Sequence, residues 1–425
     1  MDKFVIDGGR RLRGTLVVNG SKNAALPILV ATLLTDEPCL LDNVPRLRDI
    51  RTTVRLLETL GKRVVFRGKT VVVLPGPRSR RPRTRAPYDL VKQMRASVLV
   101  IGPLLARFGR ARTALPGGCA IGLRPVDLHL AGLAALGARE RTEGGDVILE
   151  GELKPGRLRL RLPSVGATEN LMMAAAAVPG ETVIENAARE PEIADLGRFL
   201  TSLGARVVGA GTSRVRVRGA RRLHGARHRV MADRIEAGTY LIACAAAGGD
   251  VRLIGAEPPH LRTLLESLRR SGAQVRQEPA DGGLRAGLRI RMKGRPRAVS
   301  IRTKPHPGFP TDLQAPWMAY MSLARGKSSI REHIFERRFL HAAELVRMGA
   351  DISVAGRTAA VNGVPELRGA PVMASDIRAG AALIVAALAA GGESEIHRVY
   401  HVDRGYERIE RVLRGLGARI RRAKE

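Results

Sequence analysis

The chain has 425 residues, of which 44% are hydrophobic and 26% charged, a composition typical of globular proteins with two or three domains. Its 72 lysines and arginines outnumber its 40 aspartates and glutamates, giving a formal charge of +32 that favours anionic partners. The arginines are spread along the whole chain, only 3% of residues are aromatic and no nucleic-acid-binding motif occurs, so nucleic acid is not the expected partner.

The cysteines and the apolar segments exclude further classes of protein. Three widely spaced cysteines, Cys39, Cys119 and Cys244, fit neither a disulfide framework nor a zinc-binding pattern. The N-terminus lacks the apolar stretch of a signal peptide, and every apolar run is interrupted before it reaches membrane-spanning length. We therefore expect a cytoplasmic protein without a metal or other cofactor and without membrane insertion.

A helix-to-strand pattern recurs six times along the chain. Each copy has a Leu-x-x-Leu or similar helical segment that ends at a glycine and leads into a β-rich segment, as a glycine-capped helix would. The glycines lie 67 to 77 residues apart by subtraction and are Gly61, Gly137, Gly204, Gly272, Gly349 and Gly417. Before each copy comes an Ala/Leu-rich helix followed by a turn and a short strand, as in 171–184 and 382–396.

These repeats predict an α/β protein of six units, each about 70 residues long. Helices that are apolar nearly all round are expected in the interior, with the sheets outside them. Two domains of three units each are the economical arrangement, and the cleft between them is the expected place for ligands.

The first motif in chain order is the segment 19–27, which places Lys22 and Asn23 directly before an apolar helix. The N-terminus of a helix favours anions, and a lysine there adds a point charge. The spacing is not that of a P-loop. Taken alone, Lys22 is expected to be a solvated residue at the helix cap.

The segment 115–127 holds a cysteine between glycines. Cys119 follows a Gly-Gly pair, and Arg124 and Asp127 come shortly after it. Glycines on both sides predict a loop, and a thiol near a fixed positive charge ionises more easily. A lone cysteine is often a small apolar residue in a turn. The glycines and Arg124 favour a reactive thiol instead.

Charged residues also stand at later helix starts and loops. Asp312 follows a proline-rich loop at the start of a helix, where a capping carboxylate is the common alternative. Arg338, Arg378 and Arg404 lie near loops, and each alone predicts a surface ion pair. No HExxH, GxSxG, CxxC or dinucleotide fingerprint occurs. The residues by themselves therefore indicate an anion-handling α/β enzyme with a reactive cysteine.

Together these stretches resemble the bacterial UDP-N-acetylglucosamine 1-carboxyvinyltransferase family from residue 1 to about 422. The resemblance is carried by 22–27, 86–97, 115–129, 164–170, 185–193, 233–239, 309–312, 374–379 and 401–408. It implies the two-domain inside-out α/β barrel of the enolpyruvyl transferases, with buried helices and outer sheets. It further implies one domain of residues 22–232 and a second that combines residues 1–21 with 233–425.

The family transfers the enolpyruvyl group of phosphoenolpyruvate to the 3′-hydroxyl of UDP-N-acetylglucosamine and releases phosphate, the first committed step of peptidoglycan synthesis. The resemblance implies that Cys119 is the proton donor and can carry a covalent adduct, that Asp312 is the base, and that Lys22 and Arg404 also serve catalysis. The residues implied around phosphoenolpyruvate are Lys22, Asn23, Arg124, Arg338, Arg378 and Arg404. Those implied for the nucleotide sugar are Arg95, Arg124, Pro125, Val126, Asp127, Leu128, Ser164, Val165, Gly166, Asp312 and Ile334.

This sequence departs from the family pattern at three points. Leu162 and Pro163 stand where some members carry a lysine near the uridine, Arg337 stands where an uncharged residue is expected, and the overall basicity is unusual. Two alternatives stay open. One is a sibling transferase acting on shikimate-3-phosphate, which shares the six-unit fold but lacks the cysteine loop. The other is a silent or nucleic-acid-binding paralogue, suggested by the charge alone.

Overall fold

The computed structural model describes residues 2–76, 83–92, 94–114, 126–280 and 285–425. These residues form two compact units. The N-unit takes its described residues from 20–231, and the C-unit combines residues 2–19 with 232–425. Each unit has its own apolar core, built mainly from Ala, Leu, Val and Ile.

Strands and helices alternate along both units. The strands are β1 Asp2–Asp7, β2 Leu12–Val17, β3 Cys39–Asp42, β4 Arg63–Arg67, β5 Thr70–Leu74, β6 Arg85–Ala86, β7 Arg110–Ala114, β8 Arg139–Glu143, β9 Asp146–Glu150, β10 Arg157–Arg159, β11 Gly180–Glu185, β12 Arg206–Val208, β13 Arg214–Gly219, β14 Arg227–Arg229, β15 Gly249–Ile254, β16 Gln274–Glu278, β17 Gly287–Met292, β18 Ile301–Arg302, β19 Lys327–Arg331, β20 Asp351–Ala355, β21 Thr358–Asn362, β22 Pro371–Met373, β23 Glu393–His397 and β24 Arg419–Lys424. The α-helices are α1 Lys22–Ala31, α2 Arg48–Thr59, α3 Tyr88–Val91, α4 Ile101–Phe108, α5 Asp127–Ala135, α6 Val165–Ala176, α7 Pro191–Ser202, α8 Arg234–Ala247, α9 Arg262–Arg270, α10 Gln314–Met321, α11 His341–Arg347, α12 Ile377–Ala389 and α13 Ile409–Gly415. Short 3₁₀ helices occupy Thr32–Leu34, Arg95–Val100, Pro258–Leu261, Thr311–Leu313 and Val399–Arg404.

The strands of the described residues form six four-stranded sheets, three in each unit. The strand orders in the N-unit are β14-β3-β5-β4, β6-β7-β9-β8 and β10-β11-β13-β12, and those in the C-unit are β16-β17-β15-β2, β18-β19-β21-β20 and β22-β23-β1-β24. Every sheet has one parallel pair at an edge, and its other pairs are antiparallel. Six sheets of one topology confirm the predicted six-unit α/β fold.

Both ends of the chain are needed to complete the C-unit. Strand β1 lies between β23 and β24 and is antiparallel to both, so that Phe4 pairs with Ile396 on one side and Arg422 on the other. Strand β2 pairs in parallel with β15. The first 17 residues thus contribute strands to two of the three C-unit sheets.

The apolar helices lie inside, as predicted. Helices α8, α10 and α12 pack against one another in the C-unit, and α6 packs against α1 and α4 in the N-unit. Every residue of α12 from 378 to 388 is buried. The sheets alternate apolar and charged side chains: in β13, Val215 and Val217 are buried and Arg214, Arg216 and Arg218 are exposed. Much of the net positive charge therefore lies on outer sheet faces.

The six repeated glycines have one conformation. They follow helices α2, α5, α7, α9, α11 and α13 with φ between +91° and +111°. Residues with a Cβ rarely adopt this conformation, so glycine ends each helix and turns the chain toward the next strand. This confirms the predicted helix ends. No helix among the described residues is long and apolar enough to cross a membrane.

Candidate active site

Candidate residues stand at the first turns of the interior helices. The starting positions are Lys22 in α1, Arg95 in the 3₁₀ helix before α4, Ser164 as the cap of α6, Asp312 in the 3₁₀ helix before α10 and Arg378 in the first turn of α12. The first N–H groups of a helix have no partner within the helix and carry partial positive charge. Helix starts of this kind favour anionic ligands.

In the C-unit, Asp312 lies between two buried arginines. Arg338 Nη2 donates to Asp312 Oδ1 at 2.6 Å, and Arg378 Nε lies 3.3 Å from the same oxygen. Arg338 is 5% exposed and Arg378 7%. The prediction that these arginines, taken singly, form surface ion pairs was therefore wrong.

Neighbouring groups hold both guanidinium groups in place. Burial acts to lower the pKa of Arg378, but the neighbouring Asp312 and Tyr406 outweigh it and the pKa lies above its ordinary value. Arg338 is positioned by Thr311, whose Oγ1 accepts from Nη1 at 3.1 Å, and by the Phe335 ring, 5.0 Å from the guanidinium. The buried Nε of Arg338 has no hydrogen-bond partner among the described residues. An anion that approached this donor would satisfy it.

Arg404 lies on the segment that packs against the start of α12. It ends the 3₁₀ helix Val399–Arg404 and is partly buried. A Cβ on the next residue, Gly405, would lie 2.5 Å from Ile377 Cγ2 and 3.6 Å from Arg378 Nη1, so only glycine allows this approach. Two residues on, Tyr406 Oη accepts from Arg378 Nη1 at 3.2 Å. The fold thus brings the segment of Arg404 to Arg378.

In the N-unit, Lys22 is buried and forms an ion pair. Its Nζ lies 3.2 Å from Asp49 Oδ2, and the two side chains are 9% and 6% exposed. The expectation of a solvated cap residue was wrong, because Ser21 caps α1 instead and accepts from Ala24 N. Asn23 follows in the same first turn and is partly buried. Asp49 was missed, although its place on the buried face of the amphipathic helix α2 is a visible signal.

Six of the candidate nucleotide-sugar residues lie at the starts of α5 and α6. Val126, Asp127 and Leu128 begin α5, and Ser164, Val165 and Gly166 begin α6. A Cβ on Gly166 would lie 3.1 Å from the Cε1 atom of His129, so the two helix starts touch. His129 in turn lies with Nδ1 3.0 Å from Asn170 Nδ2.

A charged residue, Arg161, lies beside Leu162 and Pro163, which stand where some family members carry a lysine. Arg161 Nη2 donates to Asp127 Oδ2 at 2.7 Å, and both side chains are largely exposed. Leu162 itself is 60% exposed. A cation therefore stands one position before the expected lysine.

Three of the candidate residues, Cys119, Arg124 and Pro125, lie outside the described residues, as does most of the predicted loop 115–127. The other two cysteines are buried. Burial raises the pKa of Cys39, and it raises the pKa of Cys244 to about 12. Thiols in such environments are inert.

Neither a surface groove nor a metal-binding cluster adds a candidate site among the described residues. A groove of about 580 Å³ on the outer face of the sheet β16-β17-β15-β2 is lined by arginines, among them Arg13, Arg252 and Arg289, and by Asp250. It contains none of the candidate residues, and Asp250 already accepts two bonds from Arg289. No group of three or more His, Cys, Asp or Glu side chains suited to a metal ion occurs in the described part of the chain.

The fold and the sequence are both similar to known proteins. A family model described as EPSP synthase (3-phosphoshikimate 1-carboxyvinyltransferase) matches residues 6–413. A UDP-N-acetylglucosamine 1-carboxyvinyltransferase of Nitratidesulfovibrio vulgaris (strain Hildenborough) is 54% identical over 426 residues, with all of both chains covered. One of Anaeromyxobacter sp. (strain Fw109-5) is also 54% identical, over 431 residues, with all of both chains covered.

Solved structures give the same fold. The enolpyruvyl transferase NikO from Streptomyces tendae superposes with a TM-score of 0.86 at 25% identity, covering all of this chain and 99% of that one. EPSP synthase from Acinetobacter baumannii superposes with a TM-score of 0.77 at 18% identity, with all of both chains covered. The predicted inside-out arrangement of buried helices and outer sheets is therefore confirmed.

Proposed function

This chain belongs to the UDP-N-acetylglucosamine 1-carboxyvinyltransferase family of enolpyruvyl transferases, and we propose that it transfers the enolpyruvyl group of phosphoenolpyruvate to the 3′-hydroxyl of UDP-N-acetylglucosamine. Phosphate is the second product. The reaction opens peptidoglycan synthesis, so the protein serves cell-wall formation, cell shape and division. We place this activity in the cytoplasm.

The observation that carries the proposal is the shared carboxylate oxygen of Asp312. Arg338 and Arg378 both bind it while remaining buried cations. A carboxylate held between guanidinium groups is a fixed acceptor for a proton, and the same guanidinium groups are suited to phosphate and carboxylate oxygens. A base and an anion-binding group thus stand side by side, as transfer from phosphoenolpyruvate to a hydroxyl requires.

The chemistry divides into addition and elimination. In the addition, Cys119 delivers a proton to the methylene carbon of phosphoenolpyruvate, and the sugar oxygen bonds to the central carbon as Asp312 takes its proton. In the elimination, the bond from that carbon to the phosphate oxygen breaks, the methyl group returns a proton to the Cys119 thiolate, and the departing phosphate takes the proton held by Asp312 as the enol ether forms. General acids and bases of this kind contribute about 10²–10⁴-fold to a rate.

Cations hold the phosphate and carboxylate of phosphoenolpyruvate. We assign this role to Lys22, Arg124, Arg338, Arg378 and Arg404, with Asn23 beside them. Arginine presents a planar fork that matches both kinds of oxygen pair. The buried Nε of Arg338, unpaired among the described residues, is one donor that phosphoenolpyruvate would satisfy. No metal or other cofactor takes part in this proposal.

The nucleotide sugar is assigned to the starts of α5 and α6 and to Ile334. The residues concerned are Arg95, Arg124, Pro125, Val126, Asp127, Leu128, Ser164, Val165, Gly166, Asp312 and Ile334. Helix starts supply N–H groups suited to a diphosphate. Arg161, which already contacts Asp127, supplies positive charge next to Leu162 and Pro163.

Phosphate release tests the function directly. Purified protein is incubated with phosphoenolpyruvate alone, with added UDP-N-acetylglucosamine, or with added shikimate-3-phosphate. Release with the nucleotide sugar only is the expected result. Release with shikimate-3-phosphate would assign the sibling reaction, and release with neither from folded protein would refute the proposal.

The role of Cys119 has a separate test. We expect the epoxide fosfomycin to alkylate Cys119, so intact-mass spectrometry after incubation with UDP-N-acetylglucosamine should show one adduct. Cys119→Ser should remove the adduct and most of the turnover. Full turnover in that variant would refute the proton-donor role.

A further inference from the structure

Glu332 is a buried carboxylate that the proposed reaction does not use. It follows strand β19 and is 1% exposed. An ionised carboxylate only accepts hydrogen bonds and has about four lone-pair positions. Burial of such a group is costly unless donors surround it. The hydrogen-bond donors around Glu332 therefore show which segments it holds in place.

Four hydrogen bonds converge on this carboxylate. Oε1 accepts from Thr303 Oγ1 at 2.9 Å, from Ile334 N at 2.7 Å and from Phe335 N at 3.1 Å. Oε2 accepts from Thr311 Oγ1 at 2.9 Å. All four donors are neutral, and they come from three separate segments of the C-unit.

Three of the four donors are attached to a part of the candidate site. Thr311 precedes Asp312, and its oxygen also accepts from Arg338 Nη1. The Phe335 ring lies under the Arg338 guanidinium. Ile334 is itself a candidate contact of the nucleotide sugar. The Glu332 side chain thus connects the segment of the proposed base Asp312, the anion-binding Arg338 and the segment of Ile334 and Phe335.

We propose that Glu332 is a positioning residue that fixes Asp312 and Arg338 against the acceptor sugar. This inference rests on the proposed function and adds a residue to it. Glu332 touches neither substrate in this proposal and acts through the hydroxyl of Thr311 and the N–H groups of Ile334 and Phe335. Its loss would leave the substrates bound but the base misplaced, and a misplacement of about 1 Å costs about 100-fold in rate.

Glu332→Gln is the most informative variant. The remaining carbonyl oxygen can keep the three bonds of Oε1, whereas the new amide group faces Thr311 as a donor. Thr311 Oγ1 then has donors from both the amide and Arg338, so its own proton must find another acceptor. We expect kcat to fall at least tenfold, with the Kd of UDP-N-acetylglucosamine within threefold of the unaltered protein.

A double-mutant cycle separates positioning from a general loss of stability. Thr311→Val removes the hydroxyl with little change of shape, and it should lower kcat to a similar degree. Because both changes break the hydrogen bond between Thr311 Oγ1 and Glu332 Oε2, the double variant should be hardly slower than the slower single variant. Glu336→Gln is the matched control, since Glu336 is largely exposed and pairs with Arg357.

Turnover of the unaltered protein is measured in the same assay, and calorimetry gives the Kd of UDP-N-acetylglucosamine. If the unaltered protein turns over and Glu332→Gln retains its kcat, or the two losses multiply, the positioning role is overturned and the function stands. A loss confined to the Kd would also overturn it. If the unaltered protein shows no turnover, the proposed function fails, and the inference fails with it.

Discussion

Arg378 and Tyr406 meet in the buried core of the C-unit, with Nη1 donating to the phenol oxygen at 3.2 Å and the guanidinium 5.8 Å from the ring. The same phenol lies 2.8 Å from Thr239 Oγ1, at the first turns of α8. The pair joins the starts of two interior helices. It therefore links the packing of the core to the orientation of a candidate phosphoenolpyruvate ligand.

Tyr406→Phe removes this link and leaves the ring in place. We expect the free energy of unfolding to fall by about 2 kcal/mol, because the phenol makes two hydrogen bonds and each is worth about 1 kcal/mol net. The KM for phosphoenolpyruvate should rise because Arg378 loses its hydrogen bond to Tyr406, which helps to orient the guanidinium. Chemical denaturation and phosphate release measure the two effects. Tyr400→Phe, at a 37% exposed position, is the control, and equal behaviour of both variants would contradict the prediction.

Asp312→Asn tests the proposed base. The amide cannot take the proton of the sugar hydroxyl, so we expect kcat to fall by about 10²–10⁴-fold. Binding of UDP-N-acetylglucosamine should change much less. The control is Asp351→Asn, since Asp351 accepts a bond from Asn362 on an exposed strand. A kcat within threefold of the unaltered protein would assign the base elsewhere.

Because His341 is buried, we expect the protein to lose stability in acid. It is 2% exposed, and burial lowers its pKa from 6.5 to about 4. In the unfolded chain it gains a proton below about pH 6.5, whereas in the folded protein it stays neutral until about pH 4. Unfolding is therefore favoured progressively as the pH falls through this window, by about 3 kcal/mol in total.

The measurement is the free energy of unfolding between pH 7 and pH 4. His341→Gln should have a smaller slope than the unaltered protein in this window. Identical slopes for His341→Gln and the unaltered protein would show that other groups cause the acid loss.

Because Glu169 is buried, we expect it to lower the stability of the protein as the pH rises. It is 4% exposed in α6, and burial, together with Glu192 and Glu190, raises its pKa well above 4.5. Its contribution to stability is fully present below the unfolded pKa and is lost as the pH rises through the folded pKa. Glu169→Gln should therefore become more stable relative to the unaltered protein between pH 5 and pH 8. A constant difference across that range would show that the carboxyl is ionised throughout.

The native protein should expose one reactive thiol. Cys39 and Cys244 are fully buried, and burial raises the pKa of both. A thiol reagent at pH 7.5 should therefore modify one cysteine in the native protein and three after denaturation. Cys119→Ser should leave none in the native state. Rapid modification of two thiols would show that one of the buried cysteines is accessible.

Repeats and helix ends were predictable from the sequence because they depend on local properties. Glycine at the end of a helix and an apolar helix surface are visible in single segments, and Gly61 and its five counterparts behave as expected. The burial of Lys22, Arg338 and Arg378 was not predictable from local sequence. Burial of a basic side chain requires an acidic partner, and here the partners are distant in sequence. Asp49 lies 27 residues from Lys22, and Asp312 lies 26 residues from Arg338 and further from Arg378.

The same reason explains the residues that sequence analysis missed. Glu332 lies in none of the matched segments, and Tyr406 lies in the matched segment 401–408 without a role assigned to it. The importance of both comes from partners on other segments, such as Thr303 and Thr239. The family resemblance identified the candidate residues but did not show which side chains surround them. The contacts of the described residues supply that environment for Asp312, Arg338 and Arg378.

The position of β1 between β23 and β24 affects how the protein emerges from the ribosome. All strands of the N-unit lie before residue 230, so its sheets can close while the rest of the chain is being made. Strand β1, with the apolar Phe4 and Ile6, waits for partners that are synthesised last. At about 5–20 residues per second this wait lasts roughly 20–80 s, during which an unpaired strand is open to aggregation or to a chaperone.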